Sequence, residues 1–148
     1  MRYEGTVYRP PSEAGSLIIQ ATIGCPHNRC AFCAMYRGVS FRRRALAELI
    51  EDLDLALKAY GPEVRTIFLA DGNSAALPTD ELVSIGDAAR QRFPQLARIT
   101  MYGSANFLDV CGRIPKDRQL MLDTIDEALV LPLSRFRPPT ERLVGLNL

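Results

Sequence analysis

From Leu17 to Tyr102, short apolar runs alternate with longer stretches whose apolar positions recur every three or four residues. Leu17-Ile18-Ile19-Gln20-Ala21-Thr22-Ile23 is a β-branched, mostly apolar run stopped by Gly24, the pattern of a strand covered on both faces. Between Arg44 and Tyr60 the apolar residues fall at 46, 49, 50, 53, 56, 57 and 60, with Glu48, Glu51, Asp52, Asp54 and Lys58 between them. That spacing predicts an amphipathic helix with one buried stripe and a solvated acidic face, ended by Gly61-Pro62. Thr66-Ile67-Phe68-Leu69-Ala70 predicts a second strand running into the turn-forming Asp71-Gly72-Asn73. Thr79 is placed to cap a second helix with the stripe Leu82, Ile85, Gly86, Ala89 and Phe93, which Pro94 stops. Arg98-Ile99-Thr100-Met101-Tyr102 predicts a third strand.

Strand, helix, strand, helix, strand is two consecutive βαβ units, so the expected fold class is α/β with a parallel sheet and right-handed crossovers. Past Asn106 the rhythm changes. A further helix is expected near 119–130 on Met121, Ile125, Ala128 and Leu129, and Pro132, Pro138 and Pro139 argue against a following strand. The chain reads as a single domain, with residues 1–15 an irregular lead-in.

Composition narrows the chemistry. The 148 residues are 47% hydrophobic and 24% charged, with 18 Lys+Arg against 17 Asp+Glu and a formal net charge of +1. These are ordinary values for a globular domain, and no global field marks a nucleic-acid partner. Arg42-Arg43-Arg44 reads as a solvated entry to the first helix, beside Glu48 and Glu51. No apolar stretch has the length of a membrane span or a signal h-region. A cytoplasmic setting is therefore expected, where cysteines stay reduced.

Three of the four cysteines sit together directly after the first strand, in Gly24-Cys25-Pro26-His27-Asn28-Arg29-Cys30-Ala31-Phe32-Cys33. Three thiolates on one short loop are soft donors placed to converge on a metal, and the carboxyl end of a strand is where α/β folds bind ligands. One reading is a small zinc-binding module using Cys25, His27, Cys30 and Cys33. The other is an iron–sulfur cluster with one iron left open for a ligand. His27 is the only histidine, which excludes a three-histidine metal site; in the cluster reading it shapes the loop or lies near the cofactor. Cys111 stands apart and is not expected to be a ligand.

From about Val7 to Asn106 the chain resembles the radical S-adenosylmethionine (radical SAM) superfamily. The resemblance rests on the cysteine loop after strand one, on the two-residue spacing of Cys30 and Cys33, and on the aromatic Phe32 before the third cysteine. The first spacing, four residues between Cys25 and Cys30, is a variant of the family's usual three.

The resemblance implies a [4Fe-4S] cluster held by Cys25, Cys30 and Cys33, with S-adenosyl-L-methionine on the fourth iron. Its reductive cleavage to a 5′-deoxyadenosyl radical would be fed by a one-electron reductase such as flavodoxin or ferredoxin. It further implies cofactor contacts from Phe32, from Asp71, Gly72 and Asn73 in place of the family's Gly-Gly-Glu element, and from Ser104 after strand three. The fold implied is a (β/α)6 partial TIM-like barrel. At roughly 30 residues per unit that barrel needs about 180 residues, so three legible units predict a truncated barrel. Its partial core would span 16–106, followed by an atypical tail at 107–148. Such a chain could be an incomplete enzyme or a non-catalytic cluster-binding remnant.

Overall fold

The computed structural model describes residues 1–31 and 33–103. The helix expected near 119–130, Cys111, Ser104, Phe32 and the tail lie outside the described residues. The architecture is mixed α/β. Three parallel strands, β1 (Leu17–Gln20), β4 (Thr66–Ala70) and β5 (Arg98–Met101), form a sheet in the order β1-β4-β5. A separate antiparallel ribbon pairs β2 (Thr22–Ile23) with β3 (Arg42–Arg43). The helices are α1 (Leu46–Tyr60) and α2 (Thr79–Arg92).

Strand register sorts the side chains into two faces. Leu17, Ile67 and Ile99 lie in one row across the sheet, and Ile19, Leu69 and Met101 in another. Both rows pack with Leu49, Leu53 and Ala56 of α1 and Leu82, Ile85 and Ala89 of α2 into one apolar core. Each fully buried Leu or Ile contributes about 1.5–3 kcal/mol of burial. The helical stripes are those the periodicity predicts, except that Tyr60 is 59% exposed. Phe93, the C-cap residue of α2, is fully buried and closes the core beyond that helix. On the other face Ile18, Phe68 and Thr100 share a row. There Phe68 meets Tyr102 edge-on with centroids 5.2 Å apart.

The first apolar run is not one strand. At Ala21 it leaves the sheet: the Ala21 N–H donates to the Ala70 carbonyl at the end of β4, while the Ala21 carbonyl accepts from the Arg44 N–H. Thr22 and Ile23 then pair with Arg43 and Arg42. The expected single strand therefore ends in a ribbon that closes the base of the cysteine loop. An exposed pair of arginines carries no apolar signal, so β3 was invisible to the hydrophobic pattern. Thr79 is likewise not a cap. Pro78 holds the N-cap position, and α2 starts at Thr79 without a side-chain cap.

Arg42, Arg43 and Glu51 are exposed, as expected of a solvated basic entry and acidic face, but Arg44 and Asp52 are not. Arg44 Nη1 lies 2.7 Å from Asp52 Oδ2, and both side chains are 2% exposed. Arg44 also donates to the Gln20 carbonyl at 3.0 Å, while Asp52 Oδ1 accepts the Arg2 backbone N–H at 3.1 Å. The pair thus joins the lead-in, the end of β1 and the middle of α1. Nearer the surface, Asp54 takes a two-pronged bond from Arg92, at 2.7 and 3.1 Å, linking α1 to the last turn of α2. That guanidinium holds the Asp54 carboxyl below the usual range. Among the described residues no helix is long and apolar enough to cross a membrane.

Removing one member of a buried ion pair strands the other. Asp52→Leu is therefore expected to cost about 3–5 kcal/mol in urea unfolding, and Arg44→Met added to it should restore about half or more. A single-variant cost no larger than that of an exposed pair would contradict the burial of this bridge.

Candidate functional site

The site begins where β1 and β4 end side by side. Gly24 follows β2 with φ of +73°, a conformation that suits glycine, and a Cβ there would stand 3.2 Å from Val39 Cγ1. Both backbone groups of Gly24 are taken by the turn after β4. Its N–H donates to Asp71 Oδ2 at 3.1 Å, and its carbonyl accepts from the Gly72 N–H at 3.2 Å. Cys25, the next residue, is thereby set against Gly72. A Cβ built on Gly72 would lie 2.7 Å from Cys25 Cβ and 2.7 Å from Tyr36 Cε2. Only a glycine admits this approach without a shift of its neighbours.

Asp71 is 2% exposed and takes its hydrogen bonds inside the protein. Tyr36 Oη donates to its Oδ1 at 2.5 Å, the length of a charge-assisted bond. Gln20 Nε2 reaches Oδ2 at 3.4 Å, beside the bond from Gly24. The Asp71 N–H in turn donates to Thr22 Oγ1 at 3.3 Å. Burial pushes the Asp71 carboxyl above the usual carboxylate range, against the opposing pull of Tyr36, Gly24 and Gln20. Burial, and then the neighbouring Asp71, pushes the Tyr36 phenol upward as well. The Asp71 carboxylate ties the cysteine loop to the sheet.

Tyr36 is 6% exposed, and its ring stands edge-on to Tyr8 with centroids 5.7 Å apart. Its backbone carbonyl accepts from Asn28 Nδ2 at 2.8 Å, and Asn28 itself sits at φ of +42°. Asn28 and Tyr36 therefore staple the loop across its width. Cys25, Cys30 and Cys33 are all free thiols, each half-buried, and the Cys33 N–H turns back to the Cys30 carbonyl at 3.4 Å. Among the described residues no three His, Cys, Asp or Glu side chains are gathered as a set able to hold a metal ion. His27 is half-buried on the same loop and joins no such set.

Gly72 is half-buried and Asn73 is buried at 2% exposure. The turn that follows binds back to the sheet: Ser74 Oγ donates to the Leu69 carbonyl at 3.1 Å, and the Ala75 N–H donates to the Tyr102 carbonyl at 3.2 Å. The carboxyl ends of the three parallel strands are thus bonded into one rim, with the cysteine loop on it. Cys25, Cys30, Cys33, Asp71 and Gly72 stand on this rim where the sequence pattern puts them, whereas Tyr36, Asn28 and Gln20 carry no motif that marks them. A buried glutamine in an apolar strand and an asparagine amid cysteines were the available signals, since each needs hydrogen-bond partners or a turn.

The chain matches no family model, no curated protein and no solved structure.

The donor chemistry suits a thiolate-bound metal group. Three free, partly accessible cysteines lie on one loop whose base is fixed by hydrogen bonds that involve none of their sulfurs. The fit lies in the donor set, since the thiols are not already gathered.

Two outcomes follow. Gly72→Ala is expected to cost about 1–3 kcal/mol in urea unfolding, because the added methyl overpacks Cys25 and Tyr36; a neutral result would contradict the close approach. The second concerns pH. The native Asp71 carboxyl has a higher pKa than the unfolded one, so its contribution is greatest below the unfolded pKa and is lost as pH rises through the native one. The stability of the unaltered chain minus that of Asp71→Asn should therefore fall as pH rises from about 4 toward neutrality. A difference that grows over that range would contradict the assignment.

Proposed function

We propose that the chain is an iron–sulfur protein of the radical SAM type, with Cys25, Cys30 and Cys33 holding a [4Fe-4S] cluster. The observation that carries the reading is a loop of three free thiols standing on the carboxyl-end rim of a parallel sheet, its base held by bonds that leave all three sulfurs uncommitted. On this reading β1, β4 and β5 belong to the first three units of a partial (β/α)6 TIM-like barrel, and the loop faces its mouth.

When bound, such a cluster with S-adenosyl-L-methionine on its open iron supplies one-electron cleavage of the sulfonium bond, giving methionine and a 5′-deoxyadenosyl radical. The chain's own residues do simpler work. Cys25, Cys30 and Cys33 offer thiolates. Asp71 and Gly72 hold Gly24, and with it the first thiolate, at the rim. Tyr36 fills the space behind Cys25 and satisfies the buried carboxylate. With Asp71 committed inside the protein, cofactor contact at this turn falls to Gly72 and Asn73, together with the family-implied Phe32 and Ser104. Electrons would come from a small reductase of the flavodoxin or ferredoxin class.

Anaerobic reconstitution with iron and sulfide tests this directly. About four irons per chain and an EPR signal of the reduced protein that changes on adding S-adenosyl-L-methionine are expected, with loss of iron in Cys30→Ala. Zinc retained in place of iron, or a cluster indifferent to S-adenosyl-L-methionine, would overturn the proposal. Formation of 5′-deoxyadenosine then separates an enzyme from a cluster-binding remnant.

A further inference from the structure

The three thiols do not stand in equivalent surroundings. Cys25 follows a residue whose N–H and carbonyl are both bonded to the Asp71–Gly72 turn, and its Cβ is packed against Gly72. Tyr36 takes part in the same arrangement from the far side of the loop. Its hydroxyl is on Asp71, its ring borders the space that Gly72 leaves open beside Cys25, and its carbonyl holds Asn28. Among the described residues, the corresponding tie for Cys30 and Cys33 is a 3.4 Å turn bond between their own backbones.

We infer that Cys25 is the donor the fold sets in advance, with Tyr36 and Asp71 as its positioning residues, and that Cys30 and Cys33 are brought to it when metal loads. The inference rests on the three cysteines being the ligands, as proposed above. It concerns the metal-free protein, in which a donor already in place lowers the ordering cost of binding. None of the atoms that make the arrangement is a cysteine sulfur, so it should persist when Cys30 is removed.

The test uses the full metal-free chain under anaerobic conditions, with cobalt(II) as the probe and the sulfur-to-cobalt charge-transfer band as the readout. Amide hydrogen exchange at Gly24 and Gly72 is followed in parallel. Tyr36→Phe keeps the ring and removes only the hydroxyl. It is expected to weaken cobalt(II) binding about tenfold and to speed exchange at Gly24 by a similar factor, the loss of one hydrogen bond to a buried carboxylate. Leu53 and Ile85 in the core should stay protected, and Tyr60→Phe, at the exposed end of α1, should change neither readout. Cys30→Ala should weaken cobalt(II) binding and leave Gly24 exchange unchanged.

Equal acceleration at Gly24 in Cys30→Ala, or unchanged binding and exchange in Tyr36→Phe, would overturn the positioning role. If Tyr36→Phe loses core protection, Asp71→Asn replaces it, and the same pairing of weaker binding with faster Gly24 exchange is required. Failure of the unaltered chain to bind cobalt(II) would instead overturn the assignment of the three thiols as ligands, whatever the exchange data show.

Discussion

A carboxylate held out of water must have its lone pairs filled, and the way Asp71 meets that demand organises the top of this fold. Its donors come from β1 through Gln20, from the residue before the first cysteine through Gly24, and from the far side of the loop through Tyr36. Each of those groups is thereby fixed relative to the end of β4. Because the carboxyl is buried, loss of a donor cannot be made good cheaply by solvent. The arrangement accordingly behaves as a unit.

A second buried charge does the same service lower down. Arg44 emerges from the ribbon that closes the cysteine loop, reaches the Gln20 carbonyl and pairs with Asp52 on α1. Strand β1 is therefore gripped at its carboxyl end from two directions, by Asp71 through the Gln20 side chain and by Arg44 through the Gln20 carbonyl. The apolar core sets helices against the sheet without distinguishing one end of it from the other. These two polar contacts specify where the loop of cysteines stands.

The parts of the fold governed by periodicity were legible in the sequence. The stripe of α1, the strand Thr66–Ala70 and the stop at Pro94 each follow from spacing and from the conformational limits of proline. What escaped were features in which a polar residue does the work of an apolar one. Arg44 and Asp52 carry the composition of a surface and the burial of a core, and nothing in a one-dimensional pattern shows that two charges eight residues apart meet inside. The break of the first strand at Ala21 escaped for a related reason, since β3 is made of two exposed arginines.

The candidate site divided along the same line. Cysteine spacing marks Cys25, Cys30 and Cys33 as candidate donors on one loop, and the structure sets Cys25 beside Gly72. The role of Asp71 was not legible, because a carboxylate at the end of a strand reads equally as a ligand contact or as a backbone acceptor until its partners are known. A crystal structure of the full chain reconstituted anaerobically with iron, sulfide and S-adenosyl-L-methionine tests the account most directly. Iron on Cys25, Cys30 and Cys33, with Asp71 still bound to Tyr36 and Gly24, is the expected result. Iron held elsewhere, or an Asp71 carboxylate turned away from Tyr36 toward the cofactor, would contradict it.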